Sequence, residues 1–145
     1  MSPSEQTNQA TRAKWRDLGF YYDFDPSQAC WRFVGSQHGL RHFRDLLIAY
    51  THNPQHQQLS EHEHYGPYFY LTVRTGNAPA IASDGIVGTL DDLRRLAHLV
   101  DEKLHTTLIG GLFTIDGEYA SHNLAILQCE VQADAFDPAS ADPLL

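Results

Sequence analysis

The sequence predicts an α+β fold in which two ββα units, an internal repeat, form one mainly antiparallel sheet with two helices on one face, plus a C-terminal strand or hairpin. Three observations carry that prediction. Residues Val34–Tyr50, VGSQHGLRHFRDLLIAY, return as Val87–Lys103, VGTLDDLRRLAHLVDEK, with Val, Gly, Leu, Arg and Leu at equal positions. The offset is constant at 53 residues (87 − 34). Strand-like alternation precedes both copies, and each copy carries an apolar stripe at helical spacing.

Taken in order, Phe20-Tyr-Tyr-Asp-Phe24 alternates and is rich in aromatic β-formers, Asp25-Pro26-Ser27 has turn chemistry, and Trp31-Arg-Phe-Val34 resumes the alternation. Gly35 ends this hairpin and Ser36 fits a helix N-cap. Leu40, Phe43, Leu46, Leu47 and Tyr50 form the first stripe, stopped by Asn53-Pro54. In the second unit Pro67–Val73 alternates, Ile81–Val87 is a weaker strand, and Gly88-Thr89 repeats the turn and cap. Asp91 and Asp92 suit the positive end of the helix dipole, and Leu93, Leu96, Leu99, Val100 and Leu104 make the second stripe. Leu112–Ile115 and Leu124–Val131 are the last strands. These elements place one α+β sandwich domain over 18–134, with a polar, frayed N-terminal tail over 1–17 and a C-terminal tail over 135–145 that is ordered only if it docks. The sheet face away from the helices would carry Tyr21, Tyr68 and Tyr70, with Trp31 beside them. That much apolar surface calls for a cover, either a tail or another chain.

The chain of 145 residues carries a net charge of −8. All ten Lys and Arg lie at or before Lys103, so 104–145 holds Asp116, Glu118, Glu130, Asp134, Asp137 and Asp142 without a base. A field of this sign repels nucleic-acid phosphate and draws in a basic protein. No apolar run approaches the length of a membrane helix, and MSPSEQTNQATRAKW lacks the apolar stretch of a secretory signal, so the expectation is a cytoplasmic protein. Cys30 and Cys129 have no motif spacing and read as buried free thiols.

The densest polar segment is Ser60-Glu-His-Glu-His-Tyr-Gly-Pro-Tyr68. If extended, it puts His62 and His64 on one side and Glu61, Glu63 and Tyr65 on the other. Two such imidazoles can ligate one metal ion if a third ligand arrives from His52, His56 or His122. Glu61 or Glu63 would then serve as general base of a metal-dependent hydrolase. The HExxH spacing of zincins, the GxSxG elbow and a phosphate-binding glycine loop are all missing, and no cofactor is implied. Gly35-Ser36 and Gly88-Thr89 could each hold an anion at a helix start, but their recurrence favours plain capping.

The stretches V-G-S-x-x-G-L-x-x-F-x-D-L-L, S-E-H-E-H-Y-G-P-Y-x-Y-L and I-V-G-T-L-x-D-L-R-R-L-A resemble a family of small uncharacterised bacterial proteins with a SEHEHYGPY-type motif. In outline they are also similar to the α/β immunity proteins of bacterial toxin systems. That resemblance implies a non-catalytic protein-binding module that neutralises a toxin. Tyr68 and Tyr70 would anchor the partner, and Asp116, Glu118, Glu130, Asp134 and Asp137 would steer it. The competing expectation is a metal-binding protein centred on Glu61-His62-Glu63-His64. A homodimer through sheet faces or edges is compatible with the first.

Overall fold

The computed structural model describes residues 2–145. It contains three α-helices and eight strands in two four-stranded sheets. Helix α1 spans Pro3–Leu18; strands β1 (Phe20–Asp25) and β2 (Cys30–Ser36) form a hairpin, and α2 (Gln37–His52) follows. Next come the hairpin β3 (His62–Tyr65) and β4 (Leu71–Thr75), the hairpin β5 (Ala80–Ala82) and β6 (Gly85–Gly88), and α3 (Leu90–Thr106). Strands β7 (Leu112–Ile115) and β8 (Ile126–Gln132) follow, and 3-10 turns lie at Pro54–Gln57 after α2 and at Pro138–Ala141 after β8.

The expected single, mainly antiparallel sheet is replaced by two mixed ones. Their orders are β1-β2-β8-β7 and β3-β4-β6-β5. Each is two antiparallel hairpins joined through a parallel central pair, β2 with β8 and β4 with β6. The repeat therefore extends beyond ββα. Each half of the chain reads hairpin, helix, hairpin, and the halves exchange their second hairpins: β3–β4 completes the sheet of β5–β6, and β7–β8 completes that of β1–β2. Alternation along a strand fixes which face is buried, not which hairpin lies alongside, so the exchange left no mark in the pattern.

Both glycine turns feed capped helices. The Ser36 hydroxyl accepts from the Gly39 N–H, and Thr89 with Asp92 forms a complete capping box. Most residues of the expected stripes are buried, Leu40, Phe43, Leu47 and Tyr50 in α2 and Leu93, Leu96, Val100 and Leu104 in α3, with Leu46 and Leu99 half-buried. The two helices pack against each other, α2 resting also on β1, β2 and β8, and α3 on β6 and β7. Asp101 of α3 ties them, accepting from Arg44 Nη1 at 2.8 Å.

The N-terminal segment is not a frayed tail. Among the described residues of that stretch, Ser2 caps α1 through a capping box with Glu5, Pro3 occupies the first turn, and Gly19 ends the helix at φ +92°. Met1 lies outside the described residues. Trp15 and Leu18 are the buried residues of this otherwise polar helix. The C-terminal segment docks as well: Arg16 pairs with Asp137 at 3.0 Å, and Ala139 is buried. Trp15 and Ala139 both belong to the hydrophobic core cluster, so both segments pack onto it.

Two strand boundaries also differ. The expected strand from Pro67 begins only at Leu71, whose N–H is taken by the Tyr22 hydroxyl. Ile81–Val87 is a tight hairpin rather than one strand, turned at Ser83-Asp84 with Gly85 at φ +141°. Cys30 and Cys129 are both buried and free.

Candidate functional site

Tails and sheets meet around a cavity of about 600 Å³. Helix α1 supplies Trp15, β1 supplies Tyr21, Tyr22 and Phe24, and β2 supplies Trp31. The segment between β3 and β4 adds Tyr68, Phe69 and Tyr70, and the β5–β6 turn adds Asp84. The C-terminal segment forms the remaining wall with Asp142, Pro143 and Leu144. Gly66 makes the tight entry possible. It sits at φ +87°, and a Cβ there would meet the Tyr22 ring at 2.6 Å, so the chain can bend over that ring only without a side chain.

The rings support one another. The Trp15 indole lies 5.0 Å from Tyr21, 5.2 Å from Tyr22 and 6.0 Å from Tyr68, centroid to centroid, mostly edge to face. Tyr68 and Tyr70 are 5.8 Å apart. Most of the polar handles have partners inside the protein. Trp15 Nε1 donates to Asp142 Oδ2 at 2.8 Å, Trp31 Nε1 to the Ala82 carbonyl at 2.7 Å, and the Tyr22 hydroxyl to the Tyr65 carbonyl.

Asp142 is the electrostatic centre of the wall. It is 5% exposed. Its carboxylate accepts from Trp15, from the Tyr68 hydroxyl at 2.6 Å and from the Leu144 N–H at 2.9 Å, all of them neutral donors. Burial pushes its pKa up, and the hydrogen bonds from Tyr68, the Leu144 amide and Trp15 outweigh that and hold it below the ordinary 3.8. On the Tyr68 side, burial and then the bond to Asp142 push the phenol up to about 12. The lowered Asp142 value fixes the sign of a pH effect. Folding favours the ionised form, so this stabilisation is fully present above pH 3.8 and drains away as pH falls through the lower folded value. Denaturation of wild type and Asp142→Asn should therefore show a stability gap at neutral pH that narrows below pH 3.8. A gap independent of pH would show that the charge is not what the site stabilises.

A second, more polar cavity of about 520 Å³ adjoins the first, sharing Tyr21, Asp23 and Pro143. Its lining includes Arg32, Gln128 and Glu130. Asp23 and Arg32 form a two-pronged pair here at 2.7 and 2.6 Å.

The residues singled out from sequence separate into groups. Tyr68 and Tyr70 line the first cavity and Glu130 the second. Tyr70 is 69% exposed, whereas Tyr68 is half-buried and bonded to Asp142. Asp116, Glu118, Asp134 and Asp137 line neither cavity. Glu118 is paired with Lys103, which with the Asp116 amide pulls its carboxyl down to about 2. Asp137 is paired with Arg16, and Asp116 accepts from Asn123. Tyr21 and Trp31, expected on an uncovered face, are buried. The tails supply part of that cover, through Trp15 against Tyr21 and Asp142 with its neighbours.

The Glu61–Tyr65 motif forms edge strand β3 and the residue before it. His62 and His64 do share a side, with ring centroids 5.0 Å apart. Their Nδ1 atoms face the carbonyls of Ser60 and Phe69, respectively. His56 reaches Glu63 instead, Nε2 to Oε1 at 3.4 Å, on the opposite side of the strand, and its ring stacks on Tyr50 at 3.8 Å. Among the described residues no group of three His, Cys, Asp or Glu is placed to hold a metal ion. The Glu61 and Tyr65 carbonyls accept from Tyr50 and Tyr22, so the motif's backbone fastens β3 to the core.

Sequence reasoning missed Trp15 and Asp142, the two residues that build the wall, because both lie in segments read as tails. The capping box S-P-S-E at Ser2–Glu5 was the signal that a helix, and so a docked Trp15, begins there.

Searches against protein-family models, curated proteins and solved structures returned no match. Among the described residues no helix is long and apolar enough to cross a membrane.

Proposed function

We propose that this chain is a non-catalytic protein-binding module that grips a basic partner across the two adjoining cavities, in the manner of an immunity protein that neutralises a toxin. The observation that carries this reading is the concave surface running from exposed Tyr70 past Pro143 to Glu130. It joins large aromatic area, the material of interface anchors, to carboxylates on a molecule of net charge −8. Asp116, Glu118, Asp134 and Asp137 would act through the long-range field rather than by contact. The alternative, a metal-binding protein or metal-dependent hydrolase at His62 and His64, is less well supported. Two imidazoles fall short of the three protein ligands of a catalytic zinc site.

The test pairs this protein with the product of the neighbouring gene. A complex should form, and the double variant Tyr70→Ala/Glu130→Lys should weaken it by about a hundredfold, each site contributing on the order of 1–2 kcal/mol. Deleting the gene should remove protection from that product. If no complex forms and protection is unchanged, the reading fails.

A further inference from the structure

We infer that the aromatic cavity is a receptor for a methylated ammonium group carried on a short apolar body. Three features select that chemistry. The first is ring area. Phe24, Tyr68, Phe69 and Tyr70 offer accessible ring area, backed by four buried aromatic residues, in a cavity of about 600 Å³. Aromatic faces attract cations, and quaternary ammonium groups are the guests that aromatic cages hold best. The size lies within the usual range for small-ligand sites.

The second feature is charge. The lining carries Asp23, Asp84 and Asp142 and no Lys or Arg. Asp23 is answered by Arg32 and Asp84 loosely by Arg74 at 3.7 Å. Asp142 has only neutral donors while 5% exposed. A buried carboxylate without a cation leaves a negative potential at the wall, which disfavours an anionic guest and favours a cationic one.

The third feature separates methylated ammonium from other cations and from neutral polyols. Asp142 Oδ2 already takes two hydrogen bonds and Oδ1 one. Trp31 and Tyr22 donate to backbone carbonyls, and Tyr21 to Asp23. A guest that needs many hydrogen bonds, such as a sugar or a hydrated metal ion, finds few free partners. A quaternary, trimethylated ammonium has no N–H, needs no hydrogen bond and is held by charge and ring contact alone. The rim suits entry. Phe69 is 57% exposed with φ +60°, a strained setting for an aromatic residue, and the Lys14 ammonium already rests 5.5 Å from its centroid.

The guest could be a free small molecule or a methylated lysine of a polypeptide. Neither requires the basic protein partner proposed above, so either reading can fail alone. The experiment titrates the intact protein with choline, with its carbon isostere in which a quaternary carbon replaces nitrogen, and with a trimethyllysine peptide beside its unmodified form. Heat of binding and Trp fluorescence are the readouts. Choline or the trimethyllysine peptide should bind saturably and about tenfold more tightly than its uncharged or unmethylated counterpart. Tyr70→Ala, which removes an exposed ring, should weaken binding about tenfold with an unchanged thermal midpoint. Tighter binding of choline identifies a free small-molecule guest; tighter binding of the peptide identifies a methylated side chain. Equal affinity for choline and its carbon isostere, with no preference for the methylated peptide, overturns the proposal, as does undiminished binding by Tyr70→Ala.

Discussion

Replacing Trp15 by alanine should lower the stability of the whole domain by about 3–5 kcal/mol, a large share of what a domain of this size possesses. Trp15 is 1% exposed, and its indole touches three tyrosine rings and holds the Asp142 carboxylate. Truncation opens a void, and it also leaves a buried anion with one donor fewer. Trp15→Phe keeps a ring in the site while removing the N–H and shrinking the void, so its cost should be lower, about 1–3 kcal/mol. Chemical denaturation of both variants gives the comparison. A Trp15→Ala cost below about 1 kcal/mol, the level of ordinary surface changes, would mean that α1 is not docked in solution.

Gly39→Ala should rival it. Gly39 is the third residue of α2, and its backbone lies against Gly19 of the turn between α1 and β1. A Cβ on Gly39 would fall inside the Gly19 carbonyl oxygen, and the absent Cβ of Gly19 is itself 3.2 Å from the Gly39 Cα. Both colliding groups are backbone, so no rotamer relieves the overlap and the α1–β1 turn must leave α2. The expected cost is about 3 kcal/mol or more, a shift of about 10 °C in thermal midpoint. Gly117→Ala is the control: nothing lies within 4 Å of its Cβ position, and the change should stay within about 0.5 kcal/mol. Equal midpoints for the two variants would exclude the close approach.

Much of this architecture could be read from residues, and the limits have physical causes. Helices α2 and α3 were legible because their apolar stripes face one another's elements and because Ser36 and Thr89 are strong caps. Strands β7 and β8 were legible for the same kind of reason, period-two burial. Helix α1 was not, since a helix docked by Trp15 and Leu18 alone shows no stripe. The exchanged hairpins were not, since strand pattern specifies face and not neighbour. The cavity was half visible: Tyr68 and Tyr70 stood out, but the Trp15–Asp142 bond joins residues 127 positions apart, and no local pattern announces such a meeting.

The exchange of hairpins also dictates the order in which the molecule can assemble. Neither sheet is complete within either half of the chain. Until β8 arrives, β2 presents an open edge, and β4 does so until β6 arrives. As the chain leaves the ribosome, the sheet of β3–β4 and β5–β6 can close first. The sheet of the first hairpin waits for β8, which follows it by about ninety residues. Long-range closure of this kind is slow and exposes sticky edges. The parallel β2–β8 pair is thus the late step on which the first sheet depends.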